Sequence, residues 1–155
     1  MELETLLKLN PFIFHRTKIE NIQSILNFGL QSQKQLKKCG IIKENFGPEI
    51  QKIIGDDAIS LWVISDLKRG IGPMTIGNLT EEERREKILD VCISAICENE
   101  IGLVLKTNVS YFYDNRLCWD YEAYTKEQID SKKILAIVSK KELLITTDIP
   151  IVLIR

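Results

Sequence analysis

Two side chains that are far apart in the sequence offer most of its chemistry. His15 is the only histidine and lies in the segment FIFHRT, whereas Glu122 lies among aromatic residues in DYEAYT. A neutral imidazole can donate one hydrogen bond and accept another. A carboxylate held in a fixed position can stabilise positive charge that develops while a bond breaks. Any site that they share therefore depends on the elements that carry them.

The segment around His15 predicts a strand that runs into a helix. Residues 11–16 alternate in the manner of a strand. Thr17-Lys18-Ile19-Glu20 matches a capping box, which predicts that a helix begins directly after Thr17. The helical spacing of isoleucines in IENIQSILNFGL predicts an amphipathic helix that ends at Gly29. The start of such a helix also favours anions such as a pyrophosphate.

The segment around Glu122 predicts a strand over residues 119–125. By alternation, Glu122 shares one face of this strand with Tyr124 and Asp120. Acids beside an aromatic residue on one strand face are more typical of a cleft than of a core. The structural alternatives are an exposed Glu122 on an edge strand and a hydrogen-bonded, partly buried His15.

The remaining elements predict an α+β domain. A second capping box, Thr80-Glu81-Glu82-Glu83, predicts a helix to about Cys97. Residues 31–57 read as a polar loop with one short helix near 48–54, and residues 68–78 as a glycine-rich loop. Further strands are expected at residues 59–65, 101–106, 134–138 and 150–154.

Strands and helices do not alternate regularly along the chain. This favours a mixed or largely antiparallel split sheet with two or three flanking helices over a doubly wound fold. A length of 155 residues predicts a single domain over residues 1–155.

Composition excludes several classes of function. The formal net charge is −1, so no overall field attracts nucleic acid or an acidic membrane. Apolar runs are too short for a membrane helix, and MELETLLKLN lacks the basic start of a secretion signal, so we expect a cytoplasmic protein with no membrane partner. The four cysteines contain no C-x-x-C pair, and one histidine cannot complete a Cys/His cage, so we expect no metal.

Several segments resemble those of a known family. FHRTKIENIQSILNFGL resembles the opening of the DarT-type ADP-ribosyltransferases, where a strand ending in a His-x-Thr motif runs into a helix ending in Gly-Leu. WDYEAYTKEQIDSKKILAIV resembles the strand of that family that carries the catalytic glutamate. DDAISLWVIS is similar to the strand that follows the family's substrate loop, and PIVLIR to its closing strand. The resemblance implies the ADP-ribosyltransferase fold.

The resemblance also implies that the chain cleaves NAD as a co-substrate. Glu122 and His15 would be the catalytic residues: Glu122 would hold the 2′-hydroxyl of the nicotinamide ribose, and His15 would bind the adenosine-side ribose or position the cofactor. The implied cofactor contacts are His15, Arg16, Thr17, Trp62 and Tyr124. Loss of nicotinamide leaves an oxocarbenium-like sugar, which a fixed carboxylate stabilises, so no metal is required.

The resemblance leaves the acceptor open between nucleic acid and protein. DarT relatives modify bases in single-stranded DNA, which fits the lysine-rich residues 34–43 and a stacking platform at residues 111–116. A toxin-like role with an antitoxin or immunity protein as partner is a further implication of the family.

The chain departs from the family in two respects. Residues 31–57 contain no arginine, although the family has a catalytic one after its first helix. A lysine cannot make the same bidentate contact. Candidate replacements are Lys43, Lys52, Arg69 and Arg116. Candidates for the aromatic residue that stacks on nicotinamide are Trp62, Tyr111, Tyr113 and Tyr124.

Three other functions remain as alternatives. An RNA 2′-phosphotransferase shares the fold and consumes NAD, but it normally needs several arginines and a second histidine around the phosphate. A non-catalytic module of the same fold would bind NAD, ADP-ribose or a protein partner. A structural interaction domain would show no thermal shift with NAD.

Overall fold

The computed structural model describes residues 2–11, 13–43, 53–64, 79–106, 109–114 and 122–154. Within these ranges the fold is α+β, as the sequence predicts, with four α-helices rather than two or three. The helices are α1 (Glu2–Lys8), α2 (Ile22–Phe28), α3 (Gln33–Lys38) and α4 (Glu81–Ser94). The strands are β1 (Ile13–Lys18), β2 (Ile59–Val63), β3 (Glu100–Leu105), β4 (Glu122–Thr125), β5 (Ile134–Ser139) and β6 (Ile151–Leu153).

The six described strands form one mixed sheet in the order β4-β2-β1-β3-β5-β6. β5 and β6 are parallel, and every other neighbouring pair is antiparallel. The predicted mixed sheet is therefore confirmed, but the predicted split is not seen, because all six described strands belong to one sheet. β1, which carries His15, lies near the middle, and β4, which carries Glu122, lies at one end of the strand order, with only β2 between them.

Two apolar clusters cover the two faces of the sheet. On the first face, here called the α4 face, α1 and α4 pack against the strands through Leu6, Phe14, Ile88, Leu89 and Val104. On the second, here called the α2 face, α2 packs through Ile13, Ile22, Ile25, Leu61 and Leu103. Each fully buried side chain of this size contributes about 1.5–3 kcal/mol relative to exposure. The two packed faces hold the strands in register.

The predicted capping box at Thr17 is wrong. β1 continues to Lys18, which pairs with Glu100 of β3, and a 3₁₀ turn at Ile19–Asn21 precedes α2. The hydroxyl of Thr17 accepts a hydrogen bond from Asn21 Nδ2 at 3.0 Å instead of capping the helix. The pairing of β1 with β3 extends the strand through residues whose local pattern favours a helix start.

The second predicted capping box is confirmed. Thr80 Oγ1 accepts from the Glu83 amide at 3.2 Å, and the Glu83 carboxylate accepts from the Thr80 amide at 3.1 Å. The inner face of this helix is also as predicted, since Ile88, Leu89 and Cys92 are buried. Its last α-helical residue is Ser94 rather than Cys97.

The structure adds two helices that the sequence did not predict, α1 and α3. α3 lies in a stretch that reads as a loop because it is polar and lysine-rich, and Ser32 caps it by accepting from the Gln35 amide at 3.3 Å. The other predicted strands are confirmed where they are described. Of the predicted helix at 48–54, only Ile53 and Ile54 are described, and both are helical. The loop at 68–78 and residues 119–121 lie outside the described residues.

Gly29 ends α2, as predicted, and it fastens this helix to the segment after β4. Its φ of +79° favours glycine, and a Cβ at this position would lie 2.3 Å from the carbonyl oxygen of Ile129. Leu30 and Ile129 exchange backbone hydrogen bonds of 2.8 and 3.0 Å. The close approach therefore couples the helix beside β1 to the chain that follows Glu122.

We expect Gly29→Ala to lower the free energy of unfolding by more than about 2 kcal/mol, because it adds a backbone clash to the left-handed strain. Gly40→Ala is the matched control. Gly40 has a φ of +72°, but a Cβ there would meet nothing within 4 Å. Gly40→Ala should lower the free energy of unfolding by only about 1 kcal/mol, because it adds strain without a clash. Urea unfolding measures the free energy of unfolding of both variants. Equal decreases in the two variants would show that the contact with Ile129 does not constrain the fold.

Candidate active site

A cleft lies where β1 and β2 stop pairing. Among the described residues, β2 pairs with β1 only at Ile13–Val63 and Phe14–Trp62, whereas β1 stays paired with β3 as far as Lys18. A cavity of about 260 Å³ lies beyond this point. It is lined by the end of β1, by α2 and α3, and by the start of β2. We call it the β1–β2 cleft.

His15 lines this cleft and is held by β2. Its Nδ1 lies 2.7 Å from the backbone carbonyl oxygen of Ser60. Because a carbonyl oxygen can only accept, Nδ1 must carry the proton. In the neutral ring, Nε2 is then a hydrogen-bond acceptor. The second nitrogen of His15 is thus suited to accept from a ligand hydroxyl.

The surroundings of His15 keep the ring neutral. Desolvation lowers the pKa of His15 below its ordinary value, and the charge of Arg16 lowers it further, whereas the hydrogen bond with Ser60 opposes the shift. A neutral imidazole at neutral pH can accept from a sugar hydroxyl, which an imidazolium could not do.

Ser60 also contacts Glu122. The Ser60 hydroxyl donates to Oε1 of Glu122 at 2.6 Å, a distance typical of a hydrogen bond to a charged acceptor. Ser60 thus bonds His15 through its backbone and Glu122 through its side chain. Sequence reasoning did not single out Ser60. The available signal was a small polar residue within the apolar strand ISLWV.

The strand register places His15 and Glu122 on opposite faces of the sheet. Phe14 pairs with Trp62, and Trp62 pairs with Glu122, so these three side chains lie on the α4 face. His15 follows Phe14 and pairs with Leu103, so it points to the α2 face. Ser60 lines the cleft and Glu122 does not. The carboxylate of Glu122 therefore lies behind the wall of the cleft and is joined to it by the hydrogen bond with Ser60.

Arg16 lines the cleft but is bound to neighbouring residues. Its Nη1 donates to the carbonyl oxygen of Ala95 at 2.6 Å, and its Nε lies 3.4 Å from Glu100 Oε2. Ala95 is the C-cap of α4, where a cation is favoured by the helix dipole. The guanidinium also lies 5.8 Å from the ring centroid of Trp62. In this arrangement Arg16 connects β1 to α4, and its contact with a cofactor stays a prediction.

The other predicted cofactor contacts divide between the cleft and the core. Thr17 lines the cleft, two residues beyond His15 on the same face of β1. Trp62 lies outside it and packs beside Phe14, with ring centroids 6.2 Å apart. Tyr124 is only 2 % exposed and packs against Phe112. Contact of Trp62 or Tyr124 with a cofactor therefore stays a prediction.

The predicted acceptor surface is described in part. The lysines of α3 are exposed, beside Gln33 and Leu36, which line the cleft. Tyr111 and Tyr113 meet edge to face with ring centroids 5.7 Å apart. Lys52, Arg69 and Arg116, which are candidates for the missing arginine, lie outside the described residues.

Comparisons with known proteins identify no family for this chain. No family model matches it, and no curated protein matches it significantly. The resemblance to DarT-type enzymes therefore stays a prediction. Among the described residues, no helix has both the length and the apolar character that crossing a membrane requires.

Because the chain has one histidine, proton NMR of the ring follows His15 without ambiguity. We expect the ring of His15 to titrate with a pKa below 6.5 in the folded protein and with its ordinary pKa in urea. As pH falls from about 6.5 towards the lowered pKa, the unfolded chain takes up a proton that the folded chain does not. The free energy of unfolding should therefore decrease as pH falls across this window. Above the window, the stabilisation that neutral His15 contributes should be fully present.

A His15→Gln variant supplies the control, since it should lack this component of the pH dependence. A midpoint at or above 6.5 in the folded protein would contradict the buried, neutral assignment of the ring.

Proposed function

We propose that this chain is an NAD-dependent ADP-ribosyltransferase in which His15 and Glu122 serve one bound dinucleotide. The proposal rests on two hydrogen bonds of Ser60. Its backbone carbonyl accepts from His15 at 2.7 Å, and its hydroxyl donates to Glu122 at 2.6 Å. A histidine and a glutamate far apart in sequence are thereby held around one residue of the cleft wall. The sequence resemblance supports the same pair.

The chemistry assigned to these residues is simple. His15 Nε2 accepts from a ribose hydroxyl and fixes the nucleotide, while the carboxylate of Glu122 lies beside the other ribose. The bond between the anomeric carbon and the nicotinamide nitrogen breaks, and its electron pair leaves with nicotinamide. Glu122 stabilises the positive charge that forms on the sugar. The acceptor then attacks the anomeric carbon and releases a proton.

The opposite faces of His15 and Glu122 constrain how NAD binds. A ligand that reaches both must cross the sheet where β1 and β2 separate. The gap begins directly after the Phe14–Trp62 pair, so Trp62 lies at the crossing point. Ser60 lines the cleft beside the gap, and its hydroxyl holds the carboxylate of Glu122 by a hydrogen bond.

One observation favours a second function, a non-catalytic module that binds NAD or ADP-ribose. Glu122 does not line the cleft, and its carboxylate already accepts from Ser60. A nucleotide confined to the cleft would bind without meeting the carboxylate.

Release of nicotinamide from NAD tests the proposal. We expect Glu122→Gln to lower the rate by at least about 100-fold, because it removes the negative charge and keeps the shape. Ser60→Ala should lower it by about 10-fold, because the carboxylate loses the donor that orients it. The exposed Glu142→Gln is the matched control and should keep the wild-type rate.

The acceptor is identified by adding single-stranded DNA, RNA or protein extract separately, since the true acceptor accelerates release. NAD binding without release under any of these conditions would establish the binding module instead. Release that survives Glu122→Gln would contradict the role of the carboxylate.

A further inference from the structure

Ser60 pairs a hydroxyl with a carboxylate at the wall of the β1–β2 cleft. Its Oγ donates to Oε1 of Glu122 at 2.6 Å, which is close enough for the carboxylate to take the proton as a general base. A hydroxyl that is hydrogen-bonded to a base is the usual arrangement of an activated nucleophile. A carboxylate has a second oxygen, so Glu122 can also serve a ligand while Oε1 serves Ser60. The pair therefore has the parts of a nucleophilic site.

The other hydroxyl groups of the cleft lining do not have such a base. Thr17 and Ser24 also line the cleft. The hydroxyl of Thr17 accepts from the side-chain amide of Asn21 at 3.0 Å. Among the described residues, no carboxylate is hydrogen-bonded to the hydroxyl of Thr17 or Ser24. Within this lining, a base thus lies within reach of Ser60 alone.

The backbone of Ser60 is held on two sides. Its carbonyl oxygen accepts from His15 Nδ1 at 2.7 Å, and its residue pairs with Tyr124 of β4. A nucleophile fixed beside a reacting carbon behaves as if its concentration were roughly 10⁵ M or higher, which is far above that of liquid water. The hydroxyl of Ser60 can therefore compete with water for a reactive sugar.

We infer that Ser60 is itself an acceptor of ADP-ribose, so that the chain modifies its own cleft when no other acceptor is bound. This inference rests on the proposed function, which brings the anomeric carbon of the nicotinamide ribose beside Glu122. The hydroxyl of Ser60 already bonds the carboxylate of Glu122, so it also lies next to the position of that carbon. The product is a serine O-glycoside of ADP-ribose.

The reaction requires only NAD and these two side chains. The bond between the anomeric carbon and the nicotinamide nitrogen breaks, and its electron pair leaves with nicotinamide. Oγ of Ser60 forms the new bond to the anomeric carbon, while its proton passes to Oε1 of Glu122 and then to solvent. The attached ADP-ribose ends the donation from Ser60 to Glu122 and blocks the cleft. Each chain therefore reacts once.

Incubation of the whole chain with NAD, without an added acceptor, tests the inference by intact mass. We expect a gain of one ADP-ribose per chain and a matching burst of about one equivalent of nicotinamide. Ser60→Ala should abolish the gain and the burst and leave slow hydrolysis of NAD. Ser60→Thr keeps a hydroxyl and should still be modified. Glu122→Gln should slow the modification by at least about 100-fold, because the base and the negative charge are lost.

Peptide mapping identifies the modified atom. Fragmentation of the tryptic peptide over residues 53–68 must assign the ADP-ribose to Ser60 and not to Ser65, which the same peptide contains. Ser24 lies in another tryptic peptide and is the internal control, since it lines the cleft without a base and should stay unmodified. Neutral hydroxylamine should leave the serine linkage intact, whereas it cleaves an ester of ADP-ribose to a carboxylate such as Glu122.

Nicotinamide release without a gain in mass would overturn the inference and keep the proposed function. A modification that maps to Ser24, Ser65 or Glu122, or an unchanged burst in Ser60→Ala, would overturn it in the same way. An absence of nicotinamide release under every condition would reject the proposed function together with the inference.

Discussion

The early end of the pairing between β1 and β2 is the constraint on which this structure depends. The described parts of the two strands share two residue pairs before the strands separate, and the cleft lies in the gap. Such a gap leaves backbone groups without a strand partner, and a buried carbonyl must be satisfied in another way. The imidazole of His15 bonds the carbonyl of Ser60, and the hydroxyl of the same serine turns towards Glu122. The opening in the sheet thus creates the candidate site.

The surrounding contacts hold this opening in place from both sides. On the α2 face, the positive φ of Gly29 lets Leu30 pair with Ile129, which ties α2 to the chain after β4. On the α4 face, Arg16 bonds the C-terminal end of α4 at Ala95. Each element that bears a site residue is therefore fixed by a contact distant in sequence. This arrangement fixes the residues around the candidate site in position, which electrostatic stabilisation of a transition state would require.

The sequence predicts much of the fold and only part of the site. Alternation and capping patterns identify β1 and the long helix α4, because their apolar faces have a clear period. They fail at Thr17, where pairing with β3 outweighs a helix-start pattern, and at α3, whose exposed lysines leave no strong apolar stripe. His15 and Glu122 stand out by residue type. Ser60 does not, since its importance comes from hydrogen bonds to His15 and Glu122.

A crystal structure with a non-hydrolysable NAD analogue would show whether one ligand reaches both His15 and Glu122. We expect the dinucleotide to cross the sheet beyond Phe14 and Trp62, with one ribose bonded to His15 Nε2 and the other beside the carboxylate of Glu122. An analogue bound away from His15 and Glu122, or one that reaches His15 and stays remote from Glu122, would contradict the claim that both residues serve one ligand.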